Sequence, residues 1–377
     1  MKPKIAVISF PWPSNGPYYF LSNLLDILNS LSSQIIVITG NTNRIETNSN
    51  KILFKDIKVN MHYANEIKPS SYSIFLWVVK IILVQLKECY QLIISRKEID
   101  IVIFYMAYPY YLLPLLVSKV LGKKTIEIVT RSKQESLIFN LVSLLDPILF
   151  NLLDGISPES KSLIKEVGLF KYKNKILPEG MRFIDIDQFS IKKHLNEREN
   201  IIGFVGRITK EKGIIELINS VSLLPENLKF IIIGNGQLED ELKKMILENK
   251  LEDKVMFMDW VKHEILPDYL NYMKILILPT KHSEGLPTII LEAMACGTPV
   301  LVTSKGGIKD IIIDKKTGFI MEDNSSVCIS KNIIRVLNYP DLSTVTDNAR
   351  KLIKMKVSYE SAVNRYEEIL NFKFSEN

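Results

Sequence analysis

Two glutamates, Glu284 and Glu292, stand with seven residues between them in the stretch Thr280–Val300 and bracket the start of a helix. Pro287 fits the first helical position, where its missing N–H costs nothing. Gly297 closes the helix and Pro299 keeps it from continuing. Apart from Glu292 the helix is apolar on nearly every side, so it is expected to be buried, and a buried carboxylate needs a partner. The start of a helix offers N–H groups and a dipole that attract anions. The combination suits a ligand carrying hydroxyls and phosphate. The structural alternative is that Glu292 pairs with a core Arg, Lys or His and that Glu284 merely favours the dipole.

A second group lies upstream. Strand Ile201–Val205 runs into Gly206-Arg207-Ile208-Thr209-Lys210-Glu211-Lys212-Gly213, after which a helix begins. Gly206 lets the backbone approach a ligand. Arg207 offers a planar fork to phosphate oxygens and Lys212 a mobile point charge. Each such contact, near 4 Å and at an effective dielectric near 20, is worth about 4 kcal/mol before desolvation. The alternative is a solvated basic turn. Gly234-Asn235-Gly236 and Gly306-Gly307 are ambiguous, because no acid stands where a dinucleotide ribose needs one. No Asp-x-Asp or His-rich cluster has the spacing of a divalent-metal site, so none is expected. Arg207, Lys212, Glu284 and the Pro287 helix start fall at carboxyl ends of strands facing one cleft. There the cations can hold a diphosphate without metal, and Glu292 can accept hydrogen bonds from two adjacent ribose hydroxyls.

The elements that must position these groups form two α/β series. In the first half, strand Ile5–Phe10, a helix from about Pro17 and strand Ile35–Thr39 make a βαβ unit with Gly16 in its loop. Strands Ile101–Tyr105 and Lys124–Val129 follow, Ser157-Pro158-Glu159 reads as a helix start, and Lys175–Leu177 as a last strand. Residues 71–96 are helical, with an apolar run too short to span a bilayer. The preferred reading is a core helix over the sheet; the other is an interfacial helix with Trp77 as anchor and Lys80 and Lys87 toward lipid phosphates. The domain boundary is placed within 179–199, where the composition turns polar. Strands Ile201–Val205, Lys229–Ile233, Val255–Phe257, Ile275–Leu278 and Pro299–Val302 then alternate with helices near 213–224, 237–249, 265–273 and 288–296. That is a second doubly wound domain. The division expected is 1–180, 181–357, and a helix at 358–377 packing back on the first domain.

The chain of 377 residues has the apolar and charged fractions of a globular protein, with formal net charge +6. Three widely spaced cysteines form no disulfide framework, which suits a reducing cytosol. No aromatic–basic interleaving argues for nucleic acid. The positive balance would suit an anionic membrane face or a phosphorylated substrate.

On these residues the sequence resembles the family-4 retaining glycosyltransferases of the GT-B fold, two Rossmann-like doubly wound domains facing a central cleft. Gly206-Arg207 through Lys212-Gly213 is similar to the family's diphosphate-binding turn. Ser283 to Val300 is similar to its signature, and Gly306-Gly307, Asp310 and Thr317-Gly318 continue the pattern. Pro178-Glu179-Gly180 resembles the hinge motif, with Glu where Asn is usual. The resemblance implies a UDP- or GDP-linked sugar held by the C-terminal domain, no further cofactor, and an acceptor held by the N-terminal domain. Arg207 and Lys212 would neutralise the leaving diphosphate and Glu292 would hold the ribose. Glu284, with the backbone of Gly285 and Leu286 ahead of Pro287, would contact sugar and phosphate. In such enzymes the leaving phosphate is thought to take the acceptor proton.

The first half departs from the family. Gly16 stands with Pro17 where paired glycines are usual, and Thr130-Arg131 where a histidine is. Of His62, His194, His263 and His282, each read as a surface or satisfied histidine, only His282 lies beside the signature and is kept as a site candidate. The function expected is a cytoplasmic, metal-independent glycosyltransferase building a surface polysaccharide or glycolipid, on a glycan or lipid-linked acceptor at the inner membrane face. The alternatives are a GT-B synthase or phosphorylase acting on soluble sugars and an inactive sugar-nucleotide-binding module.

Overall fold

The structure is a computed structural model and describes residues 2–12, 16–45, 47, 49–59, 61, 71–130, 143–283 and 285–372. The chain divides into two units, Met1–Arg182 with Ala362–Asn377, and Phe183–Ser361.

Unit 1 is built on a six-stranded parallel sheet in the order β3-β2-β1-β4-β5-β6. The strands are β1 (Lys4–Ile8), β2 (Gln34–Thr39), β3 (Ile52–Asp56), β4 (Ile101–Tyr105), β5 (Lys124–Val129) and β6 (Gly155–Pro158). The central strands are near-continuous apolar runs because helices cover both faces of the sheet. Right-handed crossovers put α1 (Gly16–Leu31) on one face. The path reverses between β3 and β4, so α2 (Ser71–Ile94), α3 (Leu112–Val120) and α4 (Asp146–Leu152) cover the other, with α2 packed on α3 and α3 on α4. The inner side of α2 puts Trp77, Ile81, Val84 and Leu92 into the core. Trp77 stacks edge-on against Tyr110, ring centroids 5.7 Å apart. It is thus a core residue and not an interfacial anchor. A short helix, α5 (Lys161–Glu166), follows β6.

Two local expectations are corrected here, and one strand is added. Ser157-Pro158 does not open a helix but ends β6, where Pro158 is paired with Val129. Toward β5 the bond at this end is made by Glu159 N, which donates to Val129 O at 2.9 Å, and beyond β6 lies only the single bridge at Ile156 among the described residues, so the missing proline N–H costs no ladder bond. Lys175–Leu177 is not a full strand: Ile176 makes a single bridge to Ile156 after a 3-10 segment, Leu169–Lys175. Strand β3, not anticipated, pairs along β2 as the other edge.

Unit 2 repeats the design, with the order β12-β11-β10-β7-β8-β9. Its strands are β7 (Ile201–Val205), β8 (Lys229–Ile233), β9 (Val255–Met258), β10 (Ile275–Leu278), β11 (Val300–Thr303) and β12 (Phe319–Met321). The strand at 319–321 was not anticipated, being only three residues long. Between and after them run α6 (Ile214–Val221), α7 (Glu239–Glu248), α8 (Leu266–Tyr272), α9 (Thr288–Ala295), α10 (Ile308–Ile311), α11 (Ser326–Leu337) and α12 (Leu342–Lys356). From β7 the chain moves outward to β8 and β9, then returns to β10 and moves the other way. The carboxyl ends of β7 and β10 are therefore the topological switch point, where open α/β sheets bind ligands. The last helix, α13 (Tyr359–Asn371), belongs to unit 1 from Ala362 on. Its buried Tyr366 hydroxyl donates to the Gly180 carbonyl at 2.9 Å.

Candidate active site

At the switch point of unit 2 two loops meet. The first leaves β7 at Gly206 and carries a 3-10 turn, Lys210–Lys212, before Gly213 opens α6. Gly213 has φ of 70°, and a Cβ there would strike the Pro279 carbonyl oxygen. Only glycine lets this turn lie against the end of β10. The loop is held from the other side by the turn after β8. Gly206 N donates to Ile233 O at 3.0 Å and Ile208 N to Asn235 O at 2.7 Å. At Gly234, φ is 143° and a Cβ would meet the Gly206 carbonyl oxygen, so the Gly234-Asn235-Gly236 turn is glycine-bearing because backbone passes there.

The second loop leaves β10 and leads into α9. Lys281 N donates to Glu211 O at 2.8 Å, and the Thr280 hydroxyl reaches the same oxygen at 3.2 Å. The Lys281 ammonium pairs with Glu216 on α6 at 2.5 Å. The two loops are thus stitched together through Glu211, Glu216, Thr280 and Lys281. Arg207 is exposed and has no ion-pair partner among the described residues, while Lys212 is half-buried. Leu286 is buried, and Pro287 takes the N-cap position of α9 with φ −61°. The positive end of the α9 dipole thus lies at the end of the loop that Thr280 and Lys281 tie to Glu211.

Glu292 lies one turn into α9 and is only 3% exposed. Its Oε1 is 2.7 Å from His263 Nε2 on the loop after β9. Burial pulls the His263 pKa down, but the Glu292 hydrogen bond and charge, with Glu264 nearby, outweigh it and leave the pKa raised. The imidazole packs against Phe189, centroids 5.0 Å apart, and its backbone carbonyl accepts from Gln188 Nε2 at 3.2 Å. The spacing of the histidines gives no hint of this pairing. The one available signal is the rule that a buried carboxylate must find a partner.

The far end of α9 is fixed by Arg198, which is 5% exposed. Its guanidinium donates to the carbonyls of Cys296 at 2.7 Å, Met273 at 3.1 Å and Leu270 at 3.2 Å, and to the Thr298 hydroxyl at 2.7 Å. Burial lowers its pKa to about 10, so it stays charged at neutral pH. A cation at the carboxyl ends of α8 and α9 complements both dipoles.

The remaining sequence candidates are dispersed. Glu284 and Arg131 lie outside the described residues. His282 is exposed in the loop after β10. Gly16 opens α1 after β1, and Thr130 follows β5, both in unit 1. Beside the stitched loops, a cavity of about 780 Å³ opens at the ends of β10, β11 and β12, lined by Thr280, Lys281, Thr303, Lys305 and Glu322 among others. Neither Arg207 nor Glu292 lines it.

Residues 185–352 match the family model described as Glycosyl transferases group 1. A capsular polysaccharide biosynthesis glycosyltransferase of Staphylococcus aureus, CapM, is 30% identical over 194 residues, 50% of this chain and 50% of that one. The chain thus spans about half the length of this relative. An N-acetylgalactosamine-N,N'-diacetylbacillosaminyl-diphospho-undecaprenol 4-alpha-N-acetylgalactosaminyltransferase of Campylobacter jejuni is 26% identical over 340 residues, 86% of this chain and 87% of that one. Among solved structures, Anabaena HepE in complex with UDP superposes with a TM-score of 0.76 at 14% identity, over 97% of this chain and 99% of that one. At that identity the likeness concerns the fold, two Rossmann-like domains of the GT-B kind.

Proposed function

Starting from the premise that residues 185–352 form a domain of the group 1 glycosyltransferase family, we propose that the chain is a retaining, metal-independent glycosyltransferase. It moves a sugar from a UDP- or GDP-linked donor to a glycan or lipid-linked acceptor in polysaccharide or glycolipid synthesis. One observation carries the reading: the Arg207–Lys212 loop is tied at the switch point to the loop that leads from β10 into α9, with Glu292 buried a turn inside that helix. In this reading Arg207, Lys212 and the α9 N-terminus hold the diphosphate, and Glu292 accepts from the ribose hydroxyls. Glu284, with the backbone of Gly285 and Leu286, contacts the donor sugar, and unit 1 binds the acceptor.

The bond from the anomeric carbon to the phosphate oxygen breaks, and a bond from that carbon to the acceptor oxygen forms on the same face. The acceptor proton passes to the leaving phosphate. Negative charge grows on the phosphate in the transition state, so preorganised cations lower the barrier. The likeness to a UDP-bound fold neighbour and to an enzyme named for an undecaprenol-linked acceptor supports this choice of donor and acceptor class. A lipid-linked acceptor would put the enzyme to work at a cytoplasmic membrane face.

The test is a panel of UDP- and GDP-linked sugars with EDTA present, comparing wild type and Glu292→Gln. One donor that binds and is slowly hydrolysed despite EDTA, with binding lost in the variant, is the expected result. The anomeric configuration of the first product, read by NMR, decides retention. Folded protein that binds no nucleotide sugar overturns the assignment.

A further inference from the structure

Helix α2 has a second apolar face. Opposite its core side it exposes Phe75, Ile82, Leu83, Leu86, Tyr90 and Ile94, with Phe75 and Tyr90 each 62% exposed. Adjoining α3 adds Leu116 and Val120, the latter 87% exposed. A soluble monomer rarely shows so continuous an apolar surface without a partner. The charges on α2 are also one-sided. Within the helix Lys80 and Lys87 are the bases, and its one acid, Glu88, is turned into the interior at 1% exposure; the segment after it is balanced, with Arg96 and Lys97 beside Glu98 and Asp100. Lys87 Nζ is anchored on the Ile57 carbonyl at 2.9 Å beside this face.

The net charge of the chain resides in the same unit. Unit 1 holds 24 Lys and Arg against 17 Asp and Glu, a net of +7, whereas unit 2 holds 24 against 25, a net of −1. A second copy of this chain docking by the same face would set +7 against +7. An anionic bilayer answers both the charge and the apolar stripe. No helix among the described residues is long and apolar enough to cross a membrane, so the geometry is that of a helix lying in the interface, its apolar side sunk among the acyl chains.

We propose that the outward face of α2, extended by α3, docks unit 1 onto an anionic lipid surface. The proposal deepens the reading above by naming the surface that meets the acceptor's membrane. It rests on that reading for the acceptor alone, since docking needs no donor chemistry.

The experiment is co-sedimentation of the full chain with vesicles of phosphatidylglycerol and phosphatidylcholine, and with phosphatidylcholine alone. A parallel assay follows hydrolysis of a soluble nucleotide sugar. Binding to the anionic vesicles, weakened by salt, is expected. The double variant Leu83→Gln, Leu86→Gln should lose roughly tenfold or more in vesicle affinity with donor hydrolysis unchanged. Phe75→Ser serves as a second variant should the double one fold poorly. Equal sedimentation of wild type and folded variants, no binding to anionic vesicles, or a concentration-dependent dimer that the variants dissolve would overturn the proposal. Loss of donor hydrolysis in wild type with vesicle binding intact would instead count against the donor site.

Discussion

His263 Nε2 lies 2.7 Å from Glu292 Oε1, tying the loop after β9 to the helix that carries the proposed ribose ligand. The raised His263 pKa means that the charged pair persists above the ordinary histidine value of 6.5. Its contribution to stability is complete below that value and is lost as pH rises through the folded one. His263→Gln should therefore lower the melting temperature more at acid than at alkaline pH. The same variant should flatten the pH dependence of donor KM, while His263→Ala raises that KM by roughly tenfold, the worth of one hydrogen bond to a charged group, with a smaller change in kcat. Identical pH profiles for wild type and His263→Gln would show that the imidazole does not orient Glu292.

Gly213 is where the loop proposed to hold the diphosphate touches the end of β10. Gly213→Ala forces a side chain into a left-handed backbone conformation, at a cost of about 1–2 kcal/mol, and against a carbonyl oxygen. The loop must move and take Arg207 and Lys212 with it. The expected outcome is a folded protein whose donor KM rises by at least roughly tenfold, since small misplacements at a charged site are costly. Initial rates with the donor measure it, and isothermal titration with UDP should show a parallel loss of nucleotide affinity.

Arg198 is a buried cation whose partners are carbonyls, a hydroxyl and an amide rather than a carboxylate. Arg198→Met takes the guanidinium donors away from the buried carbonyls of Met273 and Cys296, while the Leu270 carbonyl keeps the Thr298 hydroxyl. The loss should be about 3–5 kcal/mol, because several buried acceptors go unsatisfied together. Arg198→Lys should recover only part of it, since one ammonium cannot span the fork. Urea denaturation followed by a probe in unit 2 reports the difference.

Glu88 is buried with its Oε2 unpartnered among the described residues, and burial raises its pKa well above the usual carboxylate value. The folded state thus holds a proton that the unfolded chain releases, so stability falls as pH rises above the unfolded value near 4.5. Glu88→Gln should stabilise the protein by at least about 1 kcal/mol at neutral pH, and the gain should vanish near pH 4. A gain that does not depend on pH would mean that Glu88 does not titrate in the fold.

Much of this was legible in the chain itself. The apolar runs Ile201–Val205, Lys229–Ile233 and Ile275–Leu278 coincide with strands β7, β8 and β10 because a strand buried on both faces must be apolar throughout. Pro287 and Gly297 mark the ends of α9 by backbone geometry alone. Edge elements were harder. β3 and β12 are short, and Pro158, read as a helix opener, sits on an edge where a strand tolerates it. What only the tertiary structure decided is who meets whom. Strand order brings Glu211 to Lys281 across 70 residues and His263 to Glu292, and no local spacing encodes either contact. It also turns one side of α2 inward with Trp77 and leaves the other apolar side outward. Periodicity reports how apolar a helix is, but only packing against a sheet selects which face is covered.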